Sequence, residues 1–264
     1  VLLAAFIYKK NRYSKSIKFT IYCWIVGMIP ALLTLKVSSD LSSALVIMAI
    51  TFGLTFIFNR TKKMHMVVLL TTVGLIAGYI LHIKSNLPDP AHIDDYSYRI
   101  ARIVAWLYPD RYSDAAYQSQ TALYSIGSGG FWGVGLGRMY VNIPEGQTDF
   151  IFVLLTHQLG IFGGICLILC YVYLLFQILK IALNACSLYE TILVIGILIH
   201  IATQVVVNMG VCTSLLPNTG LPLVLMSYGG SSILTSFAEL AICVSVSKKS
   251  VVKVSKKIAK EELG

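Results

Sequence analysis

Hydrophobic positions in this chain gather into long, nearly unbroken runs instead of alternating with polar ones. The runs cover 19–36, 42–58, 66–83, 150–179, 191–212 and 231–247. Crossing ~30 Å of hydrocarbon takes roughly 20 apolar residues in a helix, so each run is expected to span a membrane. The shorter ones would do so with snorkelling ends or local thinning of the bilayer. An apolar stub, VLLAAFIY, opens the chain without a Met and reads as the tail of an earlier helix. The expected fold is an all-α integral membrane protein. It is a polytopic helical bundle of about six full spans plus the end of another, with 1–264 forming one membrane domain.

Composition supports this: 56% of the 264 residues are hydrophobic and only 12% charged, far from ordinary globular usage. The net charge of +9 does not point to nucleic acid, because of where it lies. Lys9, Lys10, Arg12, Lys15 and Lys18 fall between two runs, Arg60, Lys62 and Lys63 between two others, and Lys180 after the long run. A lysine-rich tail occupies 248–264. The positive-inside rule puts these regions in the cytoplasm and sends 37–41, 84–149 and 213–230 outward. The tail is then a cytoplasmic anchor against anionic membrane lipid, and no nucleic-acid partner is expected. Six cysteines are scattered singly with no CxxC pair, which reads as small core residues. No secretory signal is evident, so helix hydrophobicity itself must direct insertion.

The segment 84–149 is the large extracellular loop, and loops of that length are uncommon unless functional. In YSYRIARIVAWLY (96–108), Ile100, Ile103, Val104 and Leu107 recur at helical spacing while Arg99 and Arg102 take another face. That pattern suits a helix lying in the headgroup layer. Asp114 is placed to cap a second short helix, AAYQSQTALYSI, whose prominent polar groups are Gln118 and Gln120. GSGGFWGVGLG (127–137) has six glycines in eleven residues. It lacks a GK[ST] ending and follows no predicted strand, which argues against a nucleotide loop. It reads as backbone that turns sharply and approaches something closely, such as lipid headgroups or sugars.

LPNTGLPLVLMSYGGSS (216–232) holds two prolines and three glycines yet is too apolar for an exposed loop. Irregular backbone at membrane depth is tolerated where it is buried in protein or lines a cavity. In NIPEGQTDFIFVLLTHQLGIFGG (142–164), Glu145 and Asp149 stand at the start of an apolar run about thirty residues long. A carboxylate beside hydrocarbon is costly unless it is paired or used. Thr148 or Asp149 also reads as a helix N-cap. These segments are expected to share one outward-facing pocket.

QSQTALYSIGSGGFWGVGLG, IPEGQTDFIF, QVVVNMGV and PNTGLPLVLMSYGGSS, in that order, resemble the SEDS family (shape, elongation, division and sporulation; FtsW, RodA and SpoVE). SSDLSSALVIMAI is similar to the family's PDLGTALV helix. The resemblance covers essentially the whole chain and implies the C-terminal two thirds of a ten-span protein. It implies a peptidoglycan glycosyltransferase that polymerises lipid II on the outer face of the bacterial cytoplasmic membrane, beside a class B penicillin-binding protein. The family's aspartate in TDFIF matches Asp149, which would act as general base on the attacking sugar hydroxyl. Partial desolvation would raise its pKa usefully. An α donor bond and a β polymer bond imply inversion by direct displacement. The leaving pyrophosphate would draw on Arg138, first because it follows the glycine run, or on Arg102 or Arg99, with a divalent cation, magnesium or manganese. Substrate contacts are expected from Glu145, Gln118, Gln120, Asn208, Pro217, Thr219, Gly220, Ser227, Tyr228, Gly229 and Gly230.

The chain departs from the family where a pair of glutamates usually precedes LG; here Thr156, His157 and Gln158 stand. Glu239 lies midway along the last run, where an ionised carboxylate is expensive. His200, Gln204 and Asn208, on one face of the preceding helix, are its candidate partners. Lys36 and Asp40 could pair or line the cavity. A lipid-linked precursor flippase and a non-catalytic scaffold for a penicillin-binding protein are the rival functions.

Overall fold

The computed structural model describes all residues except 11–15, 38–40, 60–61, 139–142, 144 and 262–264. Among the described residues there are helices and no strands. They are α1 (Leu2–Lys9), α2 (Ile17–Val37), α3 (Leu41–Phe58), α4 (Lys62–Ser85), a 3-10 turn (Pro90–Asp95), α5 (Tyr98–Leu107), α6 (Ser113–Gly129), α7 (Ile151–Leu183), α8 (Leu188–Cys212) and α9 (Gly230–Glu261). Every expected span corresponds to one helix, and the opening stub is α1. Five helices are long and apolar enough to cross a membrane: α2, α4, α7, α8 and the Gly230–Val251 part of α9. The apolar helix Ser42–Phe58 falls short of that length. Asp40, expected near Lys36, lies outside the described residues.

The chain divides into two compact units. The first comprises Val1–His65, Cys170–Gln204 and Gly230–Gly264. Its helices are joined by aromatic packing and a few buried polar contacts. Phe6 stacks on Phe19 at 6.0 Å between ring centroids, and Trp24 meets Phe52 edge-on at 6.3 Å. Where α3 ends, Asn59 Nδ2 donates to Thr20 Oγ1 at 2.7 Å, tying α3 to α2. Where the middle of α8 passes the first third of α9, Nδ1 of His200 lies 2.6 Å from Oε1 of Glu239. His200 is therefore the partner of Glu239, and Asn208 is engaged elsewhere.

The second unit comprises Met66–Leu169 and Val205–Gly229. Ile83, Val104 and Tyr112 form a buried cluster, with Ile100, Ile103 and Tyr108 packed against it. The face of α5 that suits a headgroup layer is thus covered by protein, because α4 and the start of α6 offer it an apolar surface. The phenol of Tyr112 donates to the Pro88 carbonyl at 2.7 Å, fixing the turn between α4 and α5. Asp114 does not cap α6: the N-cap is Tyr112, and Asp114 sits in the first turn. There its charge still complements the helix dipole.

The glycine run has a different purpose from the one its composition suggests. Helix α7 is broken at Gly160, with φ 71° and ψ −175°. The break costs α7 the hydrogen bonds that would run from Ile161 to His157 and from Phe162 to Gln158. The glycine segment supplies substitutes for both sides. Val134 and Gly135 N–H donate to the carbonyls of His157 and Gln158 at 3.0 and 3.1 Å, while Ile161 and Phe162 N–H donate to Gly130 and Phe131 carbonyls at 3.0 and 3.3 Å. A Cβ on Gly133 would lie 2.1 Å from the Gln158 carbonyl oxygen, and one on Gly160 2.1 Å from that of Phe131. The close approach is therefore to the chain's own backbone.

Candidate functional site

Asp149 lies two residues before α7, in a turn whose N–H groups converge on one carbonyl: Thr148, Asp149 and Phe150 N–H all approach Glu145 O at 3.1–3.3 Å. Glu145 itself has φ 55°, a left-handed conformation uncommon for a side-chain-bearing residue. Its carboxylate accepts from the Thr148 hydroxyl at 2.9 Å. The hydroxyl is thus turned back toward Glu145, away from α7. Neither Thr148 nor Asp149 caps the helix among the described residues; the first bonds of α7 come from Val153 and Leu154 N–H to the Phe150 carbonyl. The Asp149 carboxylate is left for other work.

The irregular segment after α8 closes on this turn from the other side. Asn208 Nδ2 donates to the Asp149 carbonyl at 2.7 Å and to the Leu221 carbonyl at 2.8 Å. Ser227 donates to the Thr148 carbonyl at 2.6 Å and accepts from Leu223 N–H at 2.6 Å. Tyr228 N–H donates to the Gln147 carbonyl at 2.9 Å. Two segments nearly eighty residues apart are joined through backbone carbonyls, the groups that irregular backbone leaves needing donors. Glu145, Gln147, Thr148, Leu154 and Tyr228 line a cavity of about 300 Å³ on the same turn, whose lining does not include the Asp149 carboxylate. The Tyr228 ring is 78% exposed at its mouth.

Gly220 marks where the charges meet. Its φ is +72°, and a Cβ there would lie 3.3 Å from Oδ2 of Asp149 and 3.8 and 3.9 Å from Nη2 and Nη1 of Arg102. Arg102 is aimed there from α5. Its Nη1 donates to the Asn218 carbonyl at 3.1 Å, Nη2 meets the Tyr98 hydroxyl, and its guanidinium carbon lies 4.1 Å from the Tyr98 ring centroid. Half-burial lifts the Asp149 carboxyl above its ordinary pKa, neighbouring Glu145 lifts it further, and Arg102 opposes both.

Of the anticipated residues, Asp149, Arg102, Gly220, Asn208, Ser227, Tyr228 and Glu145 are brought together here. Gln118 joins them through Asn218, to which its Oε1 is bonded at 2.7 Å. Pro217 and Thr219 flank Asn218, partly buried. Gly229 closes the turn on Ser227, its N–H donating to that carbonyl at 3.0 Å, and Gly230 opens α9. Gln120 and Arg99 are exposed. Arg138, the first choice for phosphate, is exposed too, with its N–H on the Gly135 carbonyl at 3.3 Å. The arginine at the aspartate is Arg102, since the glycine run before Arg138 is spent on the break in α7. In place of a glutamate pair, Thr156 bonds back to the Phe152 and Val153 carbonyls. His157 is buried with Nδ1 2.9 Å from the Ser125 carbonyl. Asn218 was missed as a site residue, although Asn two places before Gly is a recognisable turn signal.

The sequence pattern of the FtsW, RodA and SpoVE family, described as cell cycle proteins, matches residues 1–251. The chain belongs to this family. As an FtsW/RodA/SpoVE protein it is a multi-pass protein of the cytoplasmic membrane. It is 40% identical over 157 residues to stage V sporulation protein E of Bacillus subtilis, covering 58% of this chain and 43% of that protein. It is 35% identical over 229 residues to the probable peptidoglycan glycosyltransferase FtsW of Thioalkalivibrio sulfidiphilus, covering 84% and 54%. The chain therefore spans about half the length of these curated relatives.

Among solved structures, one concerned with the coordination of polymerization and crosslinking by a peptidoglycan synthase complex superposes with TM-score 0.69 at 25% identity, over 89% of this chain and 63% of its own. A variant of the rod shape determining protein RodA of Thermus thermophilus shares the fold, with TM-score 0.57 at 23% identity over 94% and 63%.

Proposed function

We propose that this FtsW/RodA/SpoVE protein is the catalytic part of a peptidoglycan glycosyltransferase that polymerises lipid II on the outer face of the membrane, beside a class B penicillin-binding protein. The observation that carries this reading is the half-buried Asp149 carboxylate, free of any cap and held beside Arg102 at a glycine that leaves the approach open. The names of the relatives, FtsW among them, support the same chemistry.

A sugar hydroxyl of the acceptor attacks the anomeric carbon of the donor, and Asp149 takes the hydroxyl proton as the new bond forms. The bond from that carbon to the pyrophosphate oxygen breaks with its electron pair, so undecaprenyl pyrophosphate leaves and the anomeric centre inverts. A positioned base contributes roughly 10²- to 10⁴-fold to such a step. Arg102 places positive charge where the pyrophosphate develops negative charge. The cavity walled by Gln147, Thr148 and Tyr228 offers a sugar polar groups and an aromatic edge on the turn that carries the base.

Among the described residues no three His, Cys, Asp or Glu side chains gather to hold a metal ion. A magnesium ion, which keeps several waters, would be held chiefly by the substrate's pyrophosphate oxygens, leaving the Asp149 carboxylate free to act as base. Such an ion would supply further charge for the leaving pyrophosphate.

The test is lipid II polymerisation by the purified full-length protein with its cognate transpeptidase. Asp149→Asn is expected to abolish glycan synthesis while leaving folding and partner binding intact. Loss of lipid translocation alone would favour a flippase, and no loss of any kind a scaffold.

A further inference from the structure

Three pieces of the second unit meet on one residue that has no part in the chemistry described above. The Asn218 carbonyl accepts Nη1 of Arg102 from α5 at 3.1 Å. Its Nδ2 donates to Oε1 of Gln118 on α6 at 2.7 Å. Its Oδ1 accepts the N–H of Gly220 at 3.2 Å, closing a tight turn. An Asn amide presents a donor and an acceptor on one rigid plane, so these two side-chain bonds fix both the residue's rotation and the path of the backbone leading to Gly220. The carbonyl that holds Arg102 belongs to that same backbone.

We propose that Asn218 is a positioning residue: by clamping the 217–220 turn to Gln118, it keeps its own carbonyl where it aims the Arg102 guanidinium at the Asp149 carboxylate. The inference rests on the reading of Asp149 as the base. Tyr98 alone does not fix Arg102, since it meets the guanidinium from α5 itself and would travel with it. Once the turn is loose, Arg102 is free to swing toward solvent along with Tyr98. Asp149 then keeps its burial and its neighbour Glu145, both of which favour the protonated form, and loses the charge that opposes them.

The experiment uses the full-length protein in lipid and follows the Asp149 carboxyl band by infrared spectroscopy, assigned by its disappearance in Asp149→Asn. The band is titrated in the parent, in Asn218→Ala and in Gln118→Leu, alongside the pH profile of polymerisation. In both variants the titration midpoint and the acid limb of the rate are expected to move to higher pH, and the plateau kcat to fall roughly ten- to a hundred-fold, as for a small misplacement of a reacting group. A merely structural role would scale the whole profile with the folded fraction and leave the midpoint in place. A stationary or lowered midpoint in Gln118→Leu, which alters no residue of the turn, overturns the proposal even if Asn218→Ala does not fold. Polymerisation at the parental rate by Asp149→Asn would instead sink the assignment of the base, and the infrared titration would still judge Asn218.

Discussion

Gly220 stands directly against Asp149: a Cβ added to Gly220 would lie 3.3 Å from Oδ2 of Asp149. That distance is tighter than ordinary van der Waals contact, and φ of +72° already disfavours any side chain. Gly220→Ala should therefore displace the carboxylate by a few tenths of an ångström and strain the turn by about 1 kcal/mol. The expected outcome is a roughly tenfold fall in kcat with only a modest drop in Tm. Parental kcat in the folded variant would mean that the carboxylate position is not under catalytic constraint.

The pH dependence follows from the same neighbours. Burial and Glu145 raise the Asp149 pKa and Arg102 lowers it, and the active form of a base is the deprotonated one. Polymerisation should therefore rise with pH through a midpoint above the ordinary carboxylate value. Glu145→Gln should move that limb to lower pH, and Arg102→Gln to higher pH with an added loss of rate. Stability has the opposite sense. A folded pKa above the unfolded one gives stability that is present at low pH and lost as pH rises through the folded value. At neutral pH the ionised Asp149 thus costs stability, and Asp149→Asn should melt higher than the parent while failing to polymerise. A lower Tm for that variant would contradict the burial argument.

How far this site was legible depends on the range of the interactions. Apolar runs of roughly twenty residues predict helices because bilayer thickness alone demands them, and each run indeed corresponds to a helix. Asp149 was reachable from its motif. That Arg102 lies beside this carboxylate was not, because the bond that aims it joins residues 116 apart in sequence. The glycine run misled for a related reason: a stretch short of side chains signals close approach but not to what. The answer, a break at Gly160, lies inside a run whose composition reads as one continuous helix.

That docking of glycine backbone into a broken helix makes a sharp stability prediction. Gly133 has φ +80°, and a Cβ there would meet the Gln158 carbonyl oxygen at 2.1 Å, with backbone on both sides. Neither side can move without breaking the bonds that replace those lost in α7. Gly133→Ala should destabilise by roughly 2–4 kcal/mol, whereas Gly127→Ala, with nothing within 4 Å of its Cβ, should cost nothing and even favour α6. Equal melting temperatures for the two variants would remove the docking from the account of this fold.

The pairing of His200 with Glu239 is a second polar contact, independent of the site. Each residue stands about midway along an apolar span, twelve residues from the end of α8 and nine from the start of the Gly230–Val251 part of α9, so at 1.5 Å per residue both lie ~14–18 Å from the helix end, deep in the hydrocarbon. Their 2.6 Å contact satisfies one oxygen of the carboxyl, while Oε2 is buried with no hydrogen-bond partner among the described residues. Removing either partner strands the other in a medium that cannot solvate it. His200→Ala and Glu239→Ala should each lower stability, and the double variant should lose less than their sum, with a coupling of about 1–2 kcal/mol. Thermal unfolding in lipid nanodiscs reads this directly. Additive losses would mean that the two helices are held by packing alone and that the pair contributes nothing to joining α8 with α9.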